Sequence, residues 1–175
     1  MERTLDELPL TESLLSALPG VSGEAFRHAV TRLPTGVAVI TATGPDGPVG
    51  CTVNAVMSLS LRPPALLVSL STESRTLDRV LASGSFAVNV LPWNARHLAR
   101  QFATGTAAQR FTGVPWQPQH GVPVLTAASV AAVCDVSSSV RVFDHTLVAG
   151  AVTWTRADDR PPTVLYAGGQ YQVGG

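Results

Sequence analysis

From Val37 onward the chain is written as short β-type runs separated by turn clusters, and this punctuation limits the fold most. Residues 37–43 are apolar or β-branched, and Gly44-Pro45-Asp46-Gly47-Pro48 follows them. Those five residues favour a turn, so residues 37–43 and 49–56 read as a hairpin. Residues 58–61 stay extended into Pro63-Pro64, a pair that belongs at a sheet edge or in a connection. Residues 65–70, 85–91, 130–142, 145–155 and 163–166 supply the other strands. Three helices are expected between them. The first spans residues 22–33, with Ser22 as N-cap and Ala25, Phe26, Ala29, Val30 and Leu33 on one face. The others cover residues 74–81 and 94–102, and residues 103–122 read as an irregular Gly/Pro/Gln-rich excursion. Strands and helices do not alternate regularly, which argues against a doubly wound parallel sheet. The expected fold is mainly β, a six- to seven-stranded antiparallel Greek-key barrel with about three peripheral helices.

At 175 residues, 45% of them hydrophobic and 14% charged, the chain has the size and core content of one globular domain. Residues 1–20 read as a flexible N-terminal arm and 21–175 as the domain. Acidic and basic residues balance at 12 each, so the basic excess of a nucleic-acid binder is missing. All the basic residues are Arg, which excludes Schiff-base lysines, a P-loop lysine and Ser–Lys dyads. Two cysteines, Cys51 and Cys134, make no disulfide framework. Glu2, Asp6 and Glu7 outnumber Arg3 where a secretory signal would be basic. The longest uncharged stretch, residues 111–134, is broken by Pro115, Pro118 and Pro123, so no membrane span is expected. These features point to a cytoplasmic protein with reduced thiols.

The sequence carries no G-x-S-x-G, H-E-x-x-H, C-x-x-C, G-x-G-x-x-G or Walker motif, and its four histidines are scattered, so no metal site is expected. Three segments remain. Ser71-Thr72-Glu73-Ser74-Arg75-Thr76 follows a buried-type strand and opens a helix. Its hydroxyls, its Arg and the free helix N–H groups would together favour a phosphate. A plain N-cap with Arg75 in solvent is the simpler reading of the spacing alone. In Gly50-Cys51-Thr52-Val53-Asn54-Ala55, small and polar residues interrupt the alternation. Either a planar ligand approaches the backbone there, with Thr52 and Asn54 bonding ring heteroatoms, or this is an edge strand with solvated polar groups. Cys51 reads as a small core residue rather than a nucleophile. Asp144-His145 would orient a substrate or move a proton, although neighbours within a strand point to opposite faces and need not touch.

Taken in order, these pieces carry a resemblance. Phe26-Arg27-His28-Ala29-Val30, Pro34-Thr35-Gly36-Val37, Gly50 to Ala55, Ser58 to Pro64, Ser74-Arg75-Thr76, Phe86 to Leu91, Arg110-Phe111 and Asp144-His145 resemble the short-chain flavin reductase family. Those proteins are the reductase components of two-component flavin-dependent monooxygenases. The resemblance implies a split-barrel fold and a homodimer with the flavin near the subunit interface. It implies hydride transfer from NADH or NADPH to FMN or FAD, with reduced flavin passing to a partner monooxygenase. Carried over, Thr35 and Cys51, Thr52, Val53, Asn54 and Ala55 would line the flavin ring. Ser71, Ser74, Arg75 and Thr76 would hold its phosphate, and His145 would stand near the nicotinamide. Two alternatives share the fold: a flavoprotein with tightly held FMN acting on its own organic substrate, and a non-catalytic flavin-binding module. The chain departs from the pattern at Arg62, where the family usually has an acidic residue. It departs again at Phe143, where Gly usually precedes Asp-His, and at Gln170, where an Arg often precedes Tyr.

Overall fold

The computed structural model describes residues 20–172. The first half of the chain forms α1 (Gly23–Val30), β1 (Thr35–Gly36), β2 (Ala38–Gly44), β3 (Gly47–Val53), β4 (Val56–Leu61), β5 (Pro64–Ser71), α2 (Arg75–Ser83) and β6 (Ser85–Val90). A short 3-10 turn (Trp93–Ala95) leads to α3 (His97–Thr104), α4 (Ala107–Arg110), β7 (Trp116–Gln119) and β8 (Val122–Leu125). The chain finishes with β9 (Val130–Val142), β10 (His145–Ala157), β11 (Thr163–Tyr166) and β12 (Gly169–Gln172).

Seven strands make one antiparallel sheet in the order β3-β2-β6-β9-β10-β5-β4. Its two edge strands, β3 and β4, are joined only by Asn54 and Ala55. Three peptide steps, Val53 to Val56, reach at most about 11 Å. In a flat sheet, six strand spacings would hold the edges roughly 29 Å apart. The sheet must therefore curl until the end of β3 and the start of β4 come together at Asn54-Ala55, and since these two edges are not hydrogen-bonded to each other it is a split barrel with its seam there. Register shifts in the β9–β10 and β4–β5 ladders supply local bends. Strands β1, β11 and β12 form a separate three-stranded sheet, and β7 and β8 a hairpin.

Strand β2 is covered on both sides, which explains why residues 37–40 read as a continuous apolar run rather than an alternating one. Ala38, Ile40 and Ala42 join Val68, Leu70, Phe86, Val88, Cys134 and Val148 in one core, which Leu77 and Val80 of α2 complete. Val37 and Val39 face the other way, into a core with Leu98 and Phe102 of α3 and Val122 and Leu125 of β8. Asn89 ties this outer layer to the sheet. Its amide donates to the Val39 carbonyl (3.0 Å) and Thr41 Oγ1 (3.1 Å), and its Oδ1 accepts from the Leu125 N–H (2.8 Å).

The architecture agrees with the expected one, and its differences are local. The expected strand over residues 49–56 breaks at Asn54-Ala55, because that is where the chain crosses the seam. Residues 103–122 are not irregular. Thr106 caps α4 in a reciprocal arrangement with Gln109, and Pro118 and Pro123 pair inside the β7–β8 hairpin, where prolines had hidden the strand signal. The Ser22 side chain does cap α1, accepting from the Ala25 N–H at 3.1 Å, yet the helix buries none of its residues. The expected flexible arm lies, apart from Gly20, outside the described residues.

Candidate functional site

Three of the sequence segments meet around the seam and the adjacent end of β5. Asn54 and Ala55 are exposed and line a small hollow of about 240 Å³ with Met57, Ser69 and Leu147. The Ser69 N–H donates to the Ala55 carbonyl at 3.0 Å, which ties β5 to the seam. Two residues further along, Ser71 ends β5 directly opposite His145 of β10. The Ser74 N–H donates to the Ser71 carbonyl at 2.9 Å, and the Ser74 hydroxyl accepts from the Thr76 N–H at 3.2 Å to start α2. Leu77 and Val80 lie in the barrel core and hold that helix start in place. Ser71 and Arg75 are exposed there. A second, larger cleft of about 990 Å³ opens on the other side of Ser74–Thr76, between the β2–β3 turn, α2 and the start of α4.

The segment from Cys51 to Ala55 divides by strand alternation. Cys51 borders the large cleft beneath Thr76 and Ser74. Burial pushes its thiol up, against the opposing pull of the Thr76 and Ser74 hydroxyls and the Arg110 charge. Thr52 points the other way and donates its hydroxyl to the Ala99 carbonyl of α3 at 2.6 Å. Val53 packs against the barrel core. Asn54 and Ala55 face the hollow at the seam. Thr35 lies in the three-stranded sheet, in register with Leu165, which in turn faces Gln170, and it lines neither of these two cavities.

Asp144 does touch His145. The expectation that neighbours point apart applies within a strand, and Asp144 sits in the two-residue turn between β9 and β10. His145 Nδ1 lies 2.8 Å from the Asp144 carboxylate. That hydrogen bond, and then the imidazolium charge, hold the Asp144 carboxyl below the usual range. With Nδ1 held as a donor, Nε2 is an acceptor in the neutral ring and a second donor in the cation. The Thr72 N–H donates to the Asp144 carbonyl at 2.9 Å, joining this turn to the Ser71–Thr76 segment. Phe143 begins the turn with φ 57°, a left-handed conformation costly for a bulky residue and easy for Gly. This is why the usual Gly suits the position.

The sequence reading assigned no role to Arg110. Its Nη1 donates to the Gly50 carbonyl (2.7 Å) and its Nε to the Gly105 carbonyl (2.9 Å), which clamps β3 beside Cys51 to the start of α4. Gln101 supports the clamp by donating to the carbonyls of Gln109, Arg110 and Thr112. Arg110-Phe111 marked the position in the family resemblance, but no local pattern shows what Arg110 or Gln101 does, because each acts on backbone that is distant in sequence or irregular.

Residues 30–175 match the family model described as the flavin reductase like domain. The chain belongs to that family. Over 143 residues, 79% of this chain and 74% of the relative, it is 44% identical to a flavin reductase (NADH) of Kitasatospora aureofaciens. It is 33% identical to an FMN reductase (NADH) of Pseudomonas syringae pv. syringae over 94% of both chains. The flavin reductase of styrene monooxygenase from Pseudomonas putida S12 superimposes with a TM-score of 0.77 at 30% identity, covering 84% of this chain and 95% of that one.

The donor set suits a flavin phosphate. A hydroxyl, a guanidinium without a partner among the described residues and a helix start are exposed together at Ser71, Arg75 and α2. The hollow at the seam combines an amide, Asn54, with apolar walls from Val56, Met57, Leu67 and Leu147, the mixture that a flat heteroaromatic ring requires.

Proposed function

We propose that this chain is an NADH-dependent flavin reductase that delivers reduced flavin to a separate monooxygenase. The observation that carries the reading is the convergence, at one end of the barrel, of the seam at Asn54-Ala55, the phosphate-type segment Ser71–Thr76 and the Asp144–His145 pair. The relatives named as NADH-dependent reductases and the reductase of styrene monooxygenase support the same conclusion.

When bound together, the nicotinamide and the flavin supply the chemistry, a hydride transfer between their rings. The protein's part is to bind and align. Ser71, Ser74, Arg75 and Thr76 would hold the flavin phosphate through charge-assisted and helix-terminal hydrogen bonds. Asn54 and the seam backbone would supply polar partners for the ring. His145, oriented by Asp144, positions the nicotinamide, and no nucleophile is required. Thr52 serves through its backbone, since its hydroxyl donates to α3. The resemblance would put Thr35 at the ring, and it lies in the three-stranded sheet, outside both cavities.

The dimer expected for this family has a candidate face. Edge strand β4 exposes Met57, Leu59 and Leu61, and the β9–β10 hairpin exposes Val140 and Phe143. An apolar edge strand of this kind demands a cover, and a second copy would bring that cover close to the seam. No helix among the described residues is long and apolar enough to cross a membrane, and we place the enzyme in the cytoplasm with its NADH supply.

The test is NADH oxidation by dialysed protein with and without added FMN or FAD. Turnover that requires added flavin is the expected result. Flavin retained through dialysis would mean a prosthetic group, and binding without turnover would mean a non-catalytic module.

A further inference from the structure

Helix α1 has no core of its own. Its eight residues, Gly23–Val30, bury no side chain, and an isolated helix of that length is marginal in water. Its apolar residues nevertheless share one face. Phe26, Val30 and Leu33, the last in the turn that continues the helix, recur at helical spacing. Phe26 and Leu33 are 60% and 61% exposed, and Val21, just before the helix, is 75% exposed. The Ala167 N–H of the β11–β12 turn donates to the Thr31 carbonyl, which fixes the C-terminal end of the helix but covers none of this face. The exposed charges of α1 and the turn after it are mostly basic. Arg27, His28 and Arg32 stand against Glu24.

The sequence ahead of α1 has the complementary character. Leu14, Leu15 and Leu18 have helical spacing, and Glu2, Asp6, Glu7 and Glu12 outnumber Arg3. Pro19-Gly20-Val21-Ser22 separates Leu18 from Gly23. A link of about 2–5 residues joins antiparallel helical segments. Counting outward from the middle of this link brings Leu15 level with Phe26, and Glu12 level with Ala29, between His28 and Arg32.

We propose that residues 10–18 of this chain fold back and dock on the apolar face of α1, with their acidic flank against Arg27, His28 and Arg32. The four-residue link holds the segment at an effective concentration on the order of millimolar, which favours it over any separate partner. A second copy of α1 would instead bring cations against cations. The inference is independent of the flavin reading.

The test is hydrogen exchange of the α1 amides in the full chain, read by mass spectrometry. One variant combines Leu14→Ser, Leu15→Ser and Leu18→Ser. A second carries Glu7→Arg and Glu12→Arg, a third Arg27→Glu and Arg32→Glu, and a fourth all four reversals. The leucine variant should exchange about tenfold faster over residues 23–33, while β6 and β9 keep the wild-type rate and so control for folding. Each reversed pair should accelerate α1 exchange about twofold, and the fourth variant should return it to the wild-type rate. The wild-type rate should also survive about hundredfold dilution. An α1 rate that ignores the leucine substitutions would overturn the proposal. So would protection that weakens on dilution, which would make a second copy the cover.

Discussion

Strands β9 and β10 run side by side for 13 residues each, and the two halves of the pair differ sharply. In the first half of β9, Ala131 to Cys134 are buried in the two cores, and Gly150 of β10 lies under Phe86 with no room for a side chain. A Cβ on Gly150 would come within 2.7 Å of both the Phe86 ring and the Cys134 Cβ. In the distal half, Ser138 to Phe143 are exposed, and the hairpin ends in the left-handed Phe143 and the Asp144–His145 pair. The same ladder runs through both halves, so backbone hydrogen bonds do not make the difference. Packing does. The body is held by burial, and the tip tolerates strain because the body anchors it, a division expected where chemistry is done at the margin of a rigid scaffold.

The contrast is open to attack from both sides. Phe86→Ala strikes the packed half and should cost about 3–5 kcal/mol in urea unfolding, leaving little folded protein. Arg75→Ala acts at the exposed end and should leave unfolding unchanged while weakening FMN binding by about 1.5–3 kcal/mol. Lumiflavin, which has no phosphate, should not respond, and an unaltered FMN affinity would remove Arg75 from the site. Phe143→Gly should stabilise the fold by roughly 1 kcal/mol through relief of its left-handed backbone. A simultaneous rise in the KM for NADH would show that the strained side chain serves the nicotinamide, and a constant KM would leave it a turn residue.

The packed half also predicts a response to pH. Burial, followed by the nearby Asp135 charge, pushes the Cys134 thiol up to about 12, and Cys51 shifts in the same direction. A raised folded-state value means that the contribution is complete below the ordinary thiol range. It is then lost as pH climbs toward 12. Stability should fall by about 1 kcal/mol between pH 9 and 10, and Cys134→Ala should flatten that slope. The smallest effect on folding belongs to the edge. Leu61, 83% exposed, can become Ser with a change of about 0.5 kcal/mol or less in monomer stability. The same change should weaken the proposed self-association in sedimentation, and a wild-type protein that stays monomeric, or an association that Leu61→Ser leaves unaltered, would remove the proposed dimer face.

The residues of the site were legible to different degrees, for physical reasons. Ser74 as a cap, the turn at Gly44-Pro45-Asp46-Gly47-Pro48 and the strands on either side of it follow from local dihedral and hydrogen-bonding preferences, which a few adjacent residues express completely. The order of the motifs carried the family, and with it the flavin reading of the segments at Asn54 and Arg75. Other features depended on partners far along the chain. The short link at Asn54-Ala55 becomes a seam only when β3 and β4 prove to be opposite edges of one sheet. Ser71 meets His145 across 74 positions of sequence, and Arg110 finds Gly50 across 60. Asp144 reaches His145 because a two-residue turn releases it from strand geometry. By itself, then, the sequence determined most strands of the large sheet, where they turn and which residues are candidates for the site. Tertiary structure alone decided which of those residues stand together, because barrel closure is a global constraint that no local window of sequence contains.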